Sequence, residues 1–155
     1  MILQMQTIMN DESFAKKGFA ISTDQDLLDF EMIYNYLNKE SYWSKGITAD
    51  RVHNSIANSI CFGVYDNGKQ IGLARVITDK ATFAYLCDVF VLDSHRGLGL
   101  SKWLMQTILG HPELQGLRRW VLATADAHGL YKQFGFGPLA KPDNWMDIYT
   151  PFKTD

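Results

Sequence analysis

The sequence predicts an α+β domain in which a mixed central sheet contains an antiparallel meander and is flanked by helices. Three observations predict it. Residues 60–65 and 70–78 are strand-like runs joined by Asp66-Asn67-Gly68-Lys69, and Asn-Gly between such runs signals a hairpin. From Phe83 to Leu92 the chain is apolar apart from Cys87 and Asp88, as in a central strand covered on both faces. Beyond it, Arg96-Gly97-Leu98-Gly99 turns the chain into a helix, about Leu100 to Leu109, whose Leu100, Trp103, Leu104 and Ile108 recur at three- and four-residue spacing. Strand, two helices, antiparallel strands, then strand-helix-strand-helix-strand is an α+β order rather than a regular βαβ series.

Taken in order, residues 1–17 read as a short edge element or a flexible lead-in to a single domain spanning 1–155. Phe19 to Ser22 is a first strand, and Thr23 or Asp24 caps a helix with Leu27, Phe30, Ile33, Tyr34 and Leu37 on one face. Tyr42 and Trp43 follow in a loop that ends at Gly46. A second helix starts after Thr48 and buries Val52 and Ile56. The hairpin comes next, and Asp79-Lys80-Ala81-Thr82 connects it to the central strand, so three strands form the meander. After the glycine turn and its helix, residues 111–117 form a breaker-rich connection. Trp120 to Thr124 reads as a compact strand. A helix from Asp126 to Phe134, with Asp126 as its cap, ends at Gly135, and Trp145 to Tyr149 as a closing strand.

At 155 residues the chain is one domain by size, able to bury roughly two-thirds of its unfolded surface without a staple. A net charge of -2 and 21% charged residues argue against a general nucleic-acid or anionic-membrane binder. Cys61 and Cys87 sit in apolar runs, which fits buried free thiols in a reducing compartment. No stretch approaches the roughly 20 apolar residues of a membrane span, and the N-terminus lacks the features of a secretory leader. A cytoplasmic protein is expected. The four histidines and two cysteines show no metal-ligand spacing, so no metal is expected.

The first free N–H groups and positive dipole end of the 100–109 helix point out of the glycine turn, a site suited to phosphate or pyrophosphate. The stretch Val91-Leu92-Asp93-Ser94-His95-Arg96-Gly97-Leu98-Gly99-Leu100-Ser101 resembles the acetyl-CoA motif of the GNAT N-acetyltransferases, Q/R-x-x-G-x-G/A, with Ser101 in its last place. A second stretch, Ala127 to Phe136, is similar to the GNAT ending A-x-x-L-Y-x-x-x-G-F. The resemblance is good from about Ile60 to Phe136. It implies the GNAT acyl-CoA N-acyltransferase fold and acetyl transfer from acetyl-CoA, as co-substrate, to a primary amine of a small molecule or peptide by direct attack in a ternary complex. It further implies that Arg96, Gly97, Leu98, Gly99, Leu100 and Ser101 hold the CoA pyrophosphate. Val89, Val91, Thr124 and Tyr131 would contact the rest of the cofactor. Thr124 stands where the family often has asparagine, which puts a side-chain contact to the CoA arm in question. The resemblance places the oxyanion donor at a backbone N–H near Val91, where GNAT sheets splay apart. Related folds often dimerise, so a homodimer is a candidate state.

Acyl transfer to an amine needs a deprotonated amine, a polarised carbonyl and a proton for the departing thiolate. Asp88, a carboxylate inside an apolar strand, is the candidate base or substrate-ammonium contact. The structural alternative is an ion pair with Arg75 on the preceding strand. Tyr131 matches the family tyrosine that protonates the thiolate, although its spacing with Ala127, Leu130 and Phe134 also suits core packing. His128, one helical turn earlier, is a candidate proton shuttle or a second-layer group. Tyr42 and Trp43 lie in the loop that covers the acceptor in GNAT folds, and with Arg75 and Asp88 they are the candidate substrate contacts, as an apolar wall or cation–π surface.

Two other functions compete with transfer. A dinucleotide-binding protein would share Gly97-x-Gly99 after a strand, but Lys102 occupies the third glycine position and the preceding strands read as a meander. A non-catalytic acyl-CoA-binding module, acting as sensor or interaction domain, would keep the turn without the chemistry.

Overall fold

The computed structural model describes residues 12–154, so the lead-in up to residue 11 lies outside the described residues. Nine elements form the frame: β1 (Phe19–Ser22), α1 (Phe30–Asn35), α2 (Ala49–Ala57), β2 (Ile60–Asp66), β3 (Lys69–Thr78), β4 (Phe83–Val91), α3 (Leu100–Leu109), β5 (Arg119–Val121) and α4 (His128–Lys132). The strands make one sheet in the order β1-β2-β3-β4-β5. The first four run antiparallel and β5 joins β4 in parallel. This is the mixed sheet with a meander that the sequence predicts. At the β2–β3 turn Asn67 and Gly68 both take positive φ, 47° and 85°, the backbone a two-residue hairpin requires.

One core fills each face of the sheet. Against the first lies α3, with Leu100, Trp103, Leu104, Met105 and Ile108 buried on Phe62, Val64, Ile71, Val76, Ala84, Leu86 and Val91. Each such side chain contributes roughly 1.5–3 kcal/mol on burial, so this helix is held by packing. Residues 12–16 are helical rather than an edge element, and Phe14 stacks on Trp103 with ring centroids 4.5 Å apart. The second core joins Ile33, Tyr36, Leu37, Ile47 and Val52 to Cys61, Leu73 and Phe90.

Four expectations change. The single helix over 25–37 divides into a short turn at Gln25–Leu27, α1, and a wider turn at Tyr36–Glu40 closed by Ser41 N–H donating to Tyr36 O (2.9 Å). Two aspartates each start a turn, since Asp24 Oδ1 accepts from Asp26 N–H (2.9 Å) and Asp29 Oδ1 from Met32 N–H (3.0 Å). Leu28, between them, is extended. Leu27 is therefore exposed instead of facing the core.

The strand expected over 120–124 stops at Val121, because the chain beyond it turns away to other partners. Ala125 N–H donates to Tyr42 Oη (2.9 Å) and Ala127 N–H to Thr124 Oγ1 (3.0 Å). The last helix spans only His128–Lys132, and Thr124 rather than Asp126 supplies the side-chain oxygen ahead of it. The closing strand at 145–149 does not form: the segment pairs with no other strand, and Met146 and Ile148 are 95% and 99% exposed. No described helix is long and apolar enough to cross a membrane.

β4 contains an irregularity that sets up the site. Arg75 lies opposite Cys87 and Leu73 opposite Phe90, so the single residue Ala74 faces two residues of β4. Asp88 absorbs the extra length with φ 50°, a conformation aspartate tolerates better than most residues. Before this bulge Ala84 and Leu86 face α3, whereas after it Val89 and Val91 do, and Phe90 joins the opposite core.

Close backbone approach at this level is what Gly72 permits: a Cβ there would meet Phe90 O at 2.7 Å and Val64 Cβ at 3.3 Å. Gly72→Ala should cost about 2 kcal/mol in urea unfolding. Gly129→Ala, whose Cβ meets nothing within 4 Å in a helix, should stabilise by about 0.5–1 kcal/mol. An unaffected Gly72→Ala protein would disprove the tight approach of β3 and β4.

Candidate active site

β4 pairs with β5 only from Phe83 to Tyr85, opposite Arg119 to Val121. From Leu86 to Val91 no described strand covers that side, so the sheet opens where the central strand ends. Into this opening a cleft of about 510 Å³ is sunk. Val89, Phe90 and Val91 form one wall, and Asp126, Ala127, Leu130 and Tyr131 form the facing one. His95, Arg96, Gly97, Gly99, Leu100, Ser101 and Lys102 close one end, Tyr36 and Glu40 stand beside Arg96, and Tyr42 and Trp43 complete the lining.

The glycine turn is shaped by conformation rather than by crowding. Gly97 and Gly99 take φ 78° and 82°, yet a Cβ on Gly97 would meet nothing within 4 Å and one on Gly99 only Phe14 Cζ at 3.6 Å. Glycine is thus present for its left-handed backbone. Trp103 N–H donates to Gly99 O (3.1 Å) at the start of α3, and a helix leaves its leading N–H groups without intrahelical acceptors. Those of Leu100, Ser101 and Lys102 lie at the cleft end that also holds His95 and Arg96.

Neighbouring bonds hold the turn in shape. His95 Nε2 and Asp66 Oδ2 lie 2.8 Å apart, which ties the turn to the end of β2, and His95 Nδ1 lies 2.7 Å from Ser94 Oγ. Arg96 Nη2 pairs with Asp93 Oδ1 at 2.9 Å. Burial pushes the Tyr36 hydroxyl above its ordinary pKa, and a hydrogen bond with the Arg96 guanidinium partly offsets this.

Tyr131 is buried against the edge of Phe136, with centroids 5.9 Å apart. Burial, and then the neighbouring Tyr42 and Asp126, push its pKa up to about 12, so it holds its proton throughout the neutral range. Asp88 is also buried, and both of its oxygens are engaged: Oδ1 accepts from Trp43 Nε1 (2.8 Å) and Oδ2 from Arg75 Nε (2.8 Å). Arg75 Nη1 donates in turn to Ser59 Oγ (2.9 Å). The ion pair that the sequence offered as the structural alternative is therefore present, and it carries Trp43 as a third member.

The cleft brings together Tyr42, Trp43, Val89, Val91, Arg96, Gly97, Gly99, Leu100, Ser101 and Tyr131 from among the residues expected at the site. It does not include all of them. Leu98 points to solvent at 51% exposure. Thr124 and His128 line a separate hollow of about 490 Å³ on the far side of Tyr131. Arg75 and Asp88 lie behind Trp43 rather than on the cleft wall.

Tyr36, Glu40 and Lys102 line the cleft although the sequence reading did not single them out. Tyr36 and Glu40 are four residues apart, the spacing of one helical face, but the expected helix placed the core stripe elsewhere. The cysteines are free, as expected, and burial pushes Cys61 up to about 11 and Cys87 to about 12. Among the described residues no group of His, Cys, Asp and Glu is arranged to hold a metal ion.

A family model described as "Acetyltransferase (GNAT) family" matches residues 30–136. Two relatives each carry the name "putative acetyltransferase". One, from Gibberella zeae, is 32% identical over 149 residues, covering 82% of this chain and 83% of its own length. The other, a crystal structure from Xanthomonas campestris pv. campestris assigned to the GNAT family, is 50% identical with a TM-score of 0.84, covering 86% of this chain and 94% of that one. A GNAT family acetyltransferase from Elizabethkingia anophelis, crystallised with acetyl-CoA bound, shares the fold at 12% identity and a TM-score of 0.60, covering 86% and 89%.

Removing one member of the buried triad should be costly. Arg75→Met leaves the Asp88 carboxylate without its cation and should lower stability by about 3–5 kcal/mol. Trp43→Phe removes one hydrogen bond and should cost about 1–2 kcal/mol. Denaturant unfolding of both variants measures this. Equal, near-zero losses would show that Asp88 is not held as described.

Proposed function

This chain belongs to the acetyltransferase (GNAT) family, and we propose that it moves an acetyl group from acetyl-CoA to a primary amine of a small molecule or peptide, with both substrates bound at once. The observation that carries the proposal is the cleft itself, which runs from the glycine turn, past the open edge of β4, to Tyr131. Acetyl-CoA supplies an acyl group activated as a thioester. The residues present suit it: left-handed glycines and leading helix N–H groups for the pyrophosphate, with Arg96 and Lys102 adding charge beside them. Backbone groups of Val89 and Val91 are the candidates to line up the pantetheine arm and polarise the thioester carbonyl.

The protein's own groups then divide the work. Tyr42 and Trp43, edge to face at 5.0 Å, suit an amine that is cationic before reaction, and Tyr36 stands beside both Trp43 and Arg96. Glu40 and Asp126 are the carboxylates on the cleft lining, placed to draw the amine's proton. As the amine nitrogen bonds to the acyl carbon and the carbon–sulfur bond breaks, Tyr131 gives its proton to the departing thiolate. Asp88 acts here as the anchor of Trp43. His128, on the far side of Tyr131, is assigned no step.

The raised pKa of Tyr131 fixes a sign. The acid form is the useful one, so its contribution is complete at neutral pH and is lost only as pH rises toward about 12. No alkaline limb from this residue is expected below pH 10.

Release of CoA from acetyl-CoA, followed over a panel of primary amines, tests the activity directly. Tyr131→Phe should lower kcat about 100-fold with little change in the KM for acetyl-CoA. Undiminished turnover would remove Tyr131 from the mechanism. Tight acetyl-CoA binding without turnover on any amine would favour a binding module instead.

A further inference from the structure

Thr124 and His128 stand apart from the cleft and line a hollow of about 490 Å³ on the far side of Tyr131. That volume lies within the range of pockets that hold small molecules. Trp120, Leu122, Phe136 and Leu139 supply its apolar part, so aromatic and branched side chains dominate the wall. A smaller hollow of about 390 Å³ adjoins it and shares Trp120, Phe136 and Leu139.

The charged lining has one sign. Among the described residues, Arg118 and Arg119 border the smaller hollow and His128 and Lys132 the larger, and no aspartate or glutamate borders either. The whole chain carries 17 acidic and 15 basic residues, so the bias is local. Along α4, Tyr131 and Lys132 follow His128 by three and four positions, which sets all three on one side of the helix. Ahead of that helix Thr124 Oγ1 accepts from Ala127 N–H (3.0 Å), and the hydroxyl keeps its hydrogen for another acceptor. An ammonium, an imidazole and a hydroxyl beside an apolar wall are together the partners of a carboxylate on an apolar body.

We infer that the larger hollow is a second small-molecule site, separate from the cleft, and that it takes an arylalkanoate. The aryl group lies against Trp120 and Phe136, and the carboxylate points to Lys132, His128 and Thr124. An amine would meet only like charge there. A phosphate ester would have to give up a large hydration shell to a mostly apolar wall, whereas a monoanion is matched by Lys132 alone. Tyr131 belongs to both linings, so a ligand in the hollow touches the back of the ring whose front faces the cleft. The two sites meet at that one side chain and can be filled together.

Equilibrium dialysis of the full chain against hydrocinnamate tests the site, with hydrocinnamyl alcohol as the uncharged probe of the same shape. Hydrocinnamate should bind with a single equivalent per chain and about tenfold more tightly than the alcohol. Lys132→Gln should remove that difference. Leu139→Trp, at an exposed position, should fill the hollow and abolish binding of both probes without lowering the melting temperature. A chain saturated with acetyl-CoA should still take up hydrocinnamate. Absence of hydrocinnamate binding at millimolar concentration overturns the proposal, as do equal affinities for acid and alcohol, displacement of hydrocinnamate by acetyl-CoA, or undiminished binding in both variants.

Discussion

A single left-handed residue in the central strand governs how the two halves of this molecule meet. If β4 ran without a bulge, the alternation that points Ala84 and Leu86 at α3 would continue through Asp88 and Phe90. The carboxylate would then enter an apolar core, and Val89 and Val91 would face away from it. The extra residue at Asp88 reverses the parity. Phe90 reaches the opposite core, where it stacks on Tyr36 at 3.8 Å, and the carboxylate reaches Arg75 and Trp43. A buried charge of this kind is tolerable only when each oxygen has a partner, and here each has one. The bulge, the ion pair and the aromatic cover of the cleft are thus one device.

The glycine-turn end of the cleft shows a similar economy. Its conformation rests on Gly97 and Gly99, and its position on bonds to distant parts of the sheet, such as that between His95 and Asp66. From the other side Phe14 stacks on Trp103, one turn into α3. The leading N–H groups of that helix are therefore presented by a turn already held in place, which spares a ligand the cost of ordering it.

Much of this was readable from residues. The Asn67-Gly68 hairpin, the apolar run through β4 and the stripe on α3 are local patterns, and each formed as expected because its own sequence determines it. The failures share a different cause. Asp24 and Asp29 each cap a segment of their own, so the predicted helix breaks at Leu28 into a short turn and α1, and no periodicity reports that division. Trp120 to Thr124 looks like one strand, but a strand needs a neighbour, and beyond Val121 the bond from Ala125 to Tyr42, 83 positions away, decides otherwise. The bulge was invisible because β4 is apolar on both faces, so either register reads equally well. The cleft residues on motif spacing, Arg96, Gly97, Gly99, Leu100, Ser101 and Tyr131, are legible in the sequence, whereas Tyr36 and Glu40 depend on a widened turn that only the folded chain reveals.

The hydrogen bond from Ala125 N–H to the Tyr42 hydroxyl couples two parts of the cleft lining that come from distant stretches of the chain. It joins the loop carrying Tyr42 and Trp43 to the segment leading into α4, which carries Asp126 and Ala127. A shift of either segment therefore strains the other, and the width of the cleft between them is set by one shared contact rather than by two independent loops.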